Sequence, residues 1–301
     1  MLKVKTLIHK AAMPIALESV RTFSLASPKV AELEIHSDGS LAEEDWLALE
    51  VATQRLEIVR VEPEDRRLDL ERIAETFPLA SELLNRAGYM AKLKVLAFAE
   101  RPFFYFDSDI VWLRTPDFSE FPESRTVFST ETWSWYFGIR NPAFWVRNRI
   151  PRRINSGFAW MPEPFPFQRM EEALVKGLYT PDHTFSTDQE LLAFLHPEAA
   201  VFSLSDFERT RVGVHYDLLL SDAIALHFPG GMWKRHLHAI DAFHPTKESP
   251  GRKPQIQPAR PLDWPELGRM YAAMAFERNP VLQRGANLFR RLRSRFLTSK
   301  K

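Results

Sequence analysis

Two carboxylates directly follow the most aromatic short segment of the chain. Asp107 and Asp109, separated by Ser108, come immediately after the run Phe103–Phe106. Open α/β sheets bind ligands at the carboxyl ends of their strands, and an unpaired carboxylate beside buried aromatic rings is costly. Mg²⁺ and Mn²⁺ favour carboxylate oxygens and share their coordination shell with substrate phosphates. The spacing therefore predicts a divalent-metal site, with a polar turn that caps a strand as the alternative.

Residues on both sides of this pair could complete a polar site. Lys92 lies on a predicted helix just before the acidic strand and could reach a phosphate, or it could be a solvated helix lysine. Asn155 and Gly157 open the segment INSGFAWM. The asparagine offers both a donor and an acceptor, and the glycine lets a ligand approach the backbone. An ordinary bend is the alternative for this pair.

Two later segments add an acid, an amide and an imidazole. Thr187–Glu190 forms a capping box, which places Asp188 and Gln189 on the first turn of a helix. They could face a polar ligand, although the helix dipole alone favours an acid there by about 0.3–1 kcal/mol. His227 ends an apolar strand and could complete the metal shell, or it could be structural. It is followed by glycines that could offer N–H groups and by a lysine that could neutralise phosphate: Gly230, Gly231 and Lys234.

The elements that must position these residues alternate between strands and helices. Strands are predicted at 4–8, 30–36, 56–61, 103–106, 126–130, 154–161 and 223–226, and helices at 15–26, 41–50, 65–86, 89–100, 187–195 and 264–277. Ser40 with Glu43 forms a capping box for the second of these helices. Alternation with short connections predicts a layered α/β fold. The proline-rich segment 246–262 predicts a linker, which divides the chain into 1–245, this linker and a helical extension at 263–301.

Composition limits the class of protein. With 45% hydrophobic and 26% charged residues, the 301-residue chain is an ordinary globular protein, which excludes disorder, collagen and coiled coil. It has no cysteine, so disulfides, thiolate chemistry and iron–sulfur clusters are excluded.

Charge is unevenly distributed. Residues 282–301 hold seven basic residues and no acidic one, so the remainder carries a net charge of −6. This distribution argues against nucleic-acid binding by the whole protein. In the tail, Leu288, Leu292 and Phe296 recur at helical spacing among arginines. This pattern predicts an amphipathic helix on an anionic membrane surface, or a helix that docks on the protein itself.

The apolar stretch 11–17 is too short to cross a bilayer and has no good cleavage site after it, which predicts a cytosolic start.

Taken in order, five segments resemble one family. AKLKVL, YFDSDIVWL, INSGFAWM, TDQELL and HFPGGMWK resemble the glycogenin-type retaining glycosyltransferases, family eight of the nucleotide-sugar transferases, over residues 90–240. The resemblance implies an α/β fold of GT-A type. In that fold a Rossmann-like nucleotide-binding half has a mixed central sheet flanked by helices, and here a C-terminal helical extension follows.

The resemblance also implies roles for individual residues. Asp107, Asp109 and His227 match the ligands that hold Mn²⁺, or Mg²⁺, on the nucleotide diphosphate. Lys92 matches a lysine close to the phosphates and the donor sugar, and Asn155 and Gly157 match residues beside the reacting sugar. The remaining matches are the donor-sugar pair Asp188 and Gln189 and the diphosphate lysine Lys234, in the segment that also holds Gly230 and Gly231. Asp38 lies in a turn after the second predicted strand, where acids of related sugar transferases contact the base. Lys234 stands one position later than in the family pattern, and a simple turn is the alternative for Asp38.

These matches lead to a functional prediction. The chain is expected to be a metal-dependent enzyme that moves a hexose from a UDP-sugar, with retention, to a glycan or lipid-linked acceptor. It is expected to act in the cytoplasm, peripherally on the inner face of the cytoplasmic membrane. A metal-dependent phosphoesterase or nucleotidyltransferase is one alternative, but no glycine-rich loop follows residues 4–8. A non-catalytic sugar-binding module is another, although the two acids and the histidine are all present.

Overall fold

The backbone is an α/β arrangement built around one large sheet. A computed structural model describes residues 2–27, 32–53, 56–86, 90–114, 118–130, 142–177, 187–202, 224–228, 234 and 256–278. Its strands are β1 (Lys3–Ile8), β2 (Glu32–Ser37), β3 (Glu57–Val61), β4 (Phe103–Asp107), β5 (Ile110–Trp112), β6 (Val127–Thr130), β7 (Ile154–Met161), β8 (Ala200–Phe202), β9 (Ala225–His227) and β10 (Ile256–Pro258). Its helices are α1 (Met13–Ala26), α2 (Glu43–Ala52), α3 (Arg67–Ala74), α4 (Pro78–Leu84), α5 (Met90–Phe98), α6 (Pro142–Arg147), α7 (Phe167–Val175), α8 (Thr187–Leu195) and α9 (Trp264–Arg278).

Eight strands form a mixed sheet in the order β10-β8-β6-β7-β4-β1-β2-β3. Strands β3, β2, β1 and β4 pair in parallel, and the intervening helices supply the crossovers that parallel pairing requires. Beyond β4, strands β7 and β6 pair antiparallel, β8 is parallel to β6, and β10 is antiparallel to β8. A second sheet pairs β5 with β9. The predicted class, α/β with a mixed central sheet flanked by helices, is confirmed.

Strand β4 lies at the centre of this sheet and is buried on both faces. Phe103 and Tyr105 pack with the side chains of α4, α5, α7 and α8, whereas Phe104 and Phe106 pack with those of α1 and α2. This two-residue alternation is the expected geometry of a strand covered by helices on both sides. Asp107 ends the strand and therefore lies at the carboxyl edge of β4, where the parallel half of the sheet meets the antiparallel strand β7.

Local differences from the predicted elements have clear causes. The helix expected over 65–86 is two helices, because Pro78 lacks the N–H that a helix interior requires and instead begins α4. Helix α2 begins after Ala42 rather than Ser40, because Asp45 accepts a 2.9 Å hydrogen bond from the Ala42 backbone. Ser40 instead accepts a bond from the Lys10 backbone at 2.8 Å.

The C-terminal region packs against the body as far as the structure describes it. Within the segment predicted as a linker, Ile256–Pro258 pairs as edge strand β10 and Leu262 is buried in the core. An edge strand tolerates Pro258 because its nitrogen needs no ladder partner. Helix α9 follows as predicted, and its Glu266 is fully buried against Arg153. The division at residue 245 stays a prediction, and both 246–255 and the basic tail lie outside the described residues.

Among the helices described here, none combines the length and the apolar composition needed to cross a bilayer.

Candidate functional site

The carboxyl edge of β4 brings together residues from distant parts of the chain. The turn after Asp107 leads into β5, whose first residue Ile110 lies opposite His227 in the antiparallel pair with β9. The Phe228 backbone N–H donates to the Asp109 carbonyl at 3.0 Å. As a result, His227 Nε2 lies 3.3 Å from Asp109 Oδ1. The short second sheet thus delivers the imidazole to the acidic pair.

Asp107, Asp109 and His227 have the geometry of a metal site. One ligand atom from each lies within 4.8 Å of the other two. Ion–ligand distances of about 2.0–2.6 Å separate opposite ligands by about 4–5 Å, so one cation can span this group. Asp109 Oδ1 is buried, and no described residue donates a hydrogen bond to it in standard geometry. Because carboxylate oxygens and an imidazole suit Mn²⁺ or Mg²⁺ with completing waters, these residues fit a divalent cation.

Gly157 makes the close packing of this group possible. A Cβ at this position would lie 2.7 Å from Asn155 Oδ1, 2.8 Å from His227 Cε1 and 3.1 Å from Asp107 Oδ2. Any side chain would therefore displace two of the three candidate ligands. This is the close approach for which the sequence pattern singled out the glycine.

The site residues of β7 lie on an irregularity of the sheet. Phe128 pairs with Ala159, but the next residue, Ser129, pairs with Asn155. The intervening residues 156–158 therefore bulge out of the β6–β7 ladder, and such bulges re-aim side chains. Asn155 stabilises the bulge, because its Oδ1 accepts the Gly157 N–H at 2.7 Å and its carbonyl accepts the Ser129 hydroxyl at 3.0 Å.

A second polar cluster adjoins the first through Lys92. Its Nζ donates to Asp107 Oδ2 at 2.8 Å and to Ser156 Oγ at 3.1 Å, and it lies 3.1 Å from Asp188 Oδ2. Ser156 in turn donates to the same oxygen of Asp188 at 2.5 Å. Burial lowers the pKa of Lys92, but the charges of Asp107 and Asp188 raise it more, so the net pKa lies above its usual value. Lys92 is therefore a charged bridge between two carboxylates.

Tyr105 and Ser156 belong to the site, although the sequence patterns did not single them out. The Tyr105 hydroxyl donates to Asp107 Oδ1 at 2.9 Å. Burial, followed by the charge of Asp107, raises the pKa of Tyr105 well above its usual value, so the phenol remains a donor. A signal was available, because Tyr105 stands two residues before Asp107 on a strand and must share its face.

Helix α8 brings an acid and an amide to the site. Asp188 and Gln189 are both buried on its first turn, as the capping pattern predicted. The amide oxygen of Gln189 receives no hydrogen bond from any described residue. A buried acceptor without a donor is expensive unless a ligand or water supplies one.

Of the other predicted site residues, Asp38 and Lys234 lie in the part of the chain that the structure describes. Asp38 is exposed, and its carboxylate accepts the Ser40 backbone N–H at 3.0 Å, which is the turn named as the alternative. Lys234 is exposed, and its place at the diphosphate stays a prediction. Gly230 and Gly231 lie outside the described residues.

Comparison with known proteins finds likeness only at the level of solved structures. No protein-family model and no curated protein matches the sequence. The galactosyltransferase LgtC in complex with donor and acceptor sugar analogues is 13% identical, with a TM-score of 0.47 over 82% of this chain and 98% of that one. Mouse xyloside xylosyltransferase 1 is 11% identical, with a TM-score of 0.43 over 68% and 85%. Core-mannan synthase A from Aspergillus fumigatus, in a Mn/GDP form, is 10% identical, with a TM-score of 0.41 over 65% and 70%. Inferences about function therefore rest on the residues of the site.

Proposed function

We propose that this chain is a metal-dependent glycosyltransferase of GT-A type that transfers a hexose from a nucleotide sugar. The observation that carries the proposal is the junction of two clusters at the carboxyl edge of β4. A candidate metal group of two carboxylates and an imidazole adjoins a group formed by Lys92 with the buried residues Ser156 and Asp188, through one hydrogen bond from Lys92 to Asp107. A metal group next to a group of hydrogen-bonding side chains suits a substrate with a diphosphate at one end and a sugar at the other.

Asp107, Asp109 and His227 would hold the cation. Once bound, Mn²⁺ or Mg²⁺ supplies the positive charge that stabilises a departing diphosphate. Tyr105 donates a hydrogen bond to Asp107 and so orients its carboxylate. Lys92 donates to the other oxygen of the same carboxylate. Gly157 keeps the space beside His227 clear.

The neighbouring cluster is suited to a sugar. Asp188 is held at one oxygen by Lys92 and Ser156, and Gln189 offers a buried amide oxygen that can accept from a hydroxyl group. Fixed acceptors of this kind orient a polyhydroxylated ring and stabilise the charge that develops at its anomeric carbon. Asn155 keeps the bulge in place beside them.

The finer assignments follow the resemblance stated above. We infer that UDP-sugar is the donor, that configuration is retained, and that the acceptor is a glycan or a lipid-linked sugar. Lys234, with Gly230 and Gly231, would contact the diphosphate, and Asp38 would contact the base. The basic tail 282–301 would bring the enzyme to an anionic membrane on the cytoplasmic side.

The direct test incubates the purified full chain with Mn²⁺ and separate nucleotide sugars: UDP-glucose, UDP-galactose, UDP-N-acetylglucosamine and GDP-mannose. Donor hydrolysis is followed as released nucleoside diphosphate, and binding is followed as a shift in Tm. We expect one UDP-sugar to be hydrolysed slowly and to raise Tm, with both effects lost in EDTA.

Two results would contradict the proposal. Hydrolysis that persists unchanged in EDTA would exclude the metal site. Turnover of a phosphate ester, with no binding of any nucleotide sugar, would indicate a metal-dependent phosphoesterase instead.

A further inference from the structure

We propose that Lys92 is a shared counter-ion that competes with the divalent cation for Asp107 and thereby couples metal loading to Asp188. This inference rests on the metal site of the proposed function. It goes beyond that function because Lys92 controls the affinity for the cation even before a nucleotide sugar binds.

The geometry places one ammonium between two carboxylates. Lys92 Nζ is 2.8 Å from Asp107 Oδ2 and 3.1 Å from Asp188 Oδ2. Asp107 belongs to the candidate metal group, whereas Asp188 belongs to the neighbouring cluster on α8. Ser156 closes a triangle with Lys92 and Asp188, so the ammonium has a second anchor that the cation does not use.

Charge balance indicates the direction of the effect. The ammonium of Lys92 lies between two carboxylates, those of Asp107 and Asp188, and Asp107 shares the candidate metal group with a third, Asp109. A divalent cation on Asp107 and Asp109 would bring its own charge close to that ammonium. The cation and the ammonium would then bind the same carboxylate, and two like charges this close repel strongly at the low effective dielectric of a partly buried site. Metal binding therefore weakens the Lys92–Asp107 bond and shifts the ammonium toward Asp188 and Ser156.

Two consequences follow from this competition. Lys92 lowers the affinity of the donor-free protein for a cation, because the cation must displace an existing charge from Asp107. The filled site also fixes Asp188, because the ammonium is then held mainly by that carboxylate. Coupling of this kind is reciprocal, so Asp188 also influences cation affinity.

The test measures Mn²⁺ affinity of the full chain without nucleotide, by the electron paramagnetic resonance signal of free Mn²⁺. Lys92→Met should bind Mn²⁺ at least about tenfold more tightly than the wild type, because a competing positive charge is gone. Lys94→Met is the matched control, since it removes the same charge from α5 beside Glu64 rather than beside the cluster. Its affinity should stay within about twofold of wild type, as expected for a charge whose effect is screened.

A double-substitution cycle tests the link to Asp188. Asp188→Asn should weaken Mn²⁺ binding when Lys92 is present, because the ammonium of Lys92 is then paired with the carboxylate of Asp107 alone. The same substitution should have a smaller effect in Lys92→Met, and this non-additivity measures the coupling. Additive effects would show that the two carboxylates act independently and would overturn the coupling.

Folding of each variant is checked by circular dichroism and thermal unfolding. If Lys92→Met does not fold, Lys92→Gln, which keeps a donor for Asp107 without the charge, should show the same tighter binding. Equal Mn²⁺ affinity in the wild type and in the neutral variant would overturn this inference alone. Absence of Mn²⁺ binding in every variant would overturn the proposed metal site, and the inference with it.

Discussion

Gly157 lies where three atoms of the site leave no room for a side chain. Gly157→Ala would place a methyl group 2.8 Å from His227 Cε1 and 3.1 Å from Asp107 Oδ2. We expect Mn²⁺ affinity to fall at least about tenfold, as for other changes that disturb ligand orientation, and donor hydrolysis to be lost. Overpacking should cost about 1–3 kcal/mol of unfolding free energy. Mn²⁺ titration and urea unfolding measure the two effects separately.

The control for this substitution is Gly268→Ala. Gly268 lies within α9, and a Cβ there meets no atom within 4 Å. Alanine in a helix interior should raise stability by about 0.5–1 kcal/mol and leave Mn²⁺ binding unchanged. Equal Mn²⁺ affinity in the two variants would show that the space at Gly157 does not matter for the metal group.

Asp109 supplies the buried oxygen to which no described residue donates a hydrogen bond in standard geometry. Asp109→Asn keeps the shape but removes the negative charge that would bind the cation. We expect Mn²⁺ affinity to fall about 100-fold or more, since a ligand should matter at least as much as its supporting residues, and transfer to be abolished while Tm changes little. Glu198→Gln, at an exposed position, removes the same charge elsewhere. Full activity of Asp109→Asn would exclude this carboxylate from the site.

Sequence reasoning predicted the charged members of the site, and also Asn155, Gly157 and Gln189, but it did not single out Tyr105 and Ser156. Asp107, Asp109, His227, Lys92 and Asp188 carry charge or a ligand nitrogen at positions where strands and helices end, so their types and spacing were informative. Tyr105 and Ser156 are common strand residues, and only the assembled sheet shows what they contact. The same is true of Asn155, whose side-chain oxygen bonds its own backbone two residues later.

At the scale of elements, the packing of helix α8 on the sheet buries a histidine. His196 follows the helix and lies between Phe128 and Phe165, with Nδ1 3.3 Å from Thr126 Oγ1. Burial, and then the positive charges of Arg101 and Arg169, lower the pKa of His196 to about 3. The histidine is therefore neutral in the folded protein at neutral pH.

This burial predicts a loss of stability in acid. An unfolded histidine titrates near about pH 6.5. Because the pKa of His196 is lower in the folded protein than in the unfolded chain, neutral His196 contributes fully to the unfolding free energy above pH 6.5. This contribution is lost as the pH falls toward 3. Between pH 7 and pH 5, the loss of unfolding free energy measured in urea should be about 2 kcal/mol smaller in His196→Gln than in the wild type. His9→Gln, at an exposed position, should retain the loss; a loss unchanged in His196→Gln would contradict the assignment.

The elements differ in how far the sequence determines them. The parallel half of the sheet was predictable, because its strands have five or six residues each and alternate along the chain with helices. The β5–β9 pair was not, since each strand has three residues and their pairing depends on a contact across a long stretch of chain. Strand β10 was not predicted, because the prolines of 246–262 indicated a linker, although Pro258 in this strand is tolerated at a sheet edge.

At the scale of the whole molecule, one carboxylate fastens the C-terminal helix to the body. Glu266 of α9 is fully buried and accepts hydrogen bonds from Arg153 at 3.2 Å and from Arg269 at 2.6 Å. Leu267 and Met270 of the same helix join the core beside it. Glu266→Ala would remove these hydrogen bonds to charged groups and, because both arginines are partly exposed to water, should cost about 1–3 kcal/mol of unfolding free energy.

Urea unfolding of Glu266→Ala is compared with that of Trp264→Ala. Trp264 lies on the exposed side of the same helix, so its loss should change stability by no more than about 0.5 kcal/mol. Equal stabilities for the two variants would show that α9 is not fastened to the body through Glu266.

The strongest separation of charge in the molecule lies between the acidic body and the basic tail. Residues 282–301 carry seven positive charges, whereas the rest carries a net −6. Each basic residue near an anionic bilayer contributes about 1 kcal/mol of binding free energy, so several together suffice for reversible attachment.

Deletion of 282–301 should therefore abolish sedimentation of the protein with phosphatidylserine vesicles. Full-length protein should sediment with these vesicles at low salt, and much less with phosphatidylcholine vesicles or at high salt, because the attraction is electrostatic. Sedimentation of the truncated chain would place the membrane contact elsewhere, and a lower Tm on deletion, without vesicle binding by the full chain, would show that the tail docks on the body.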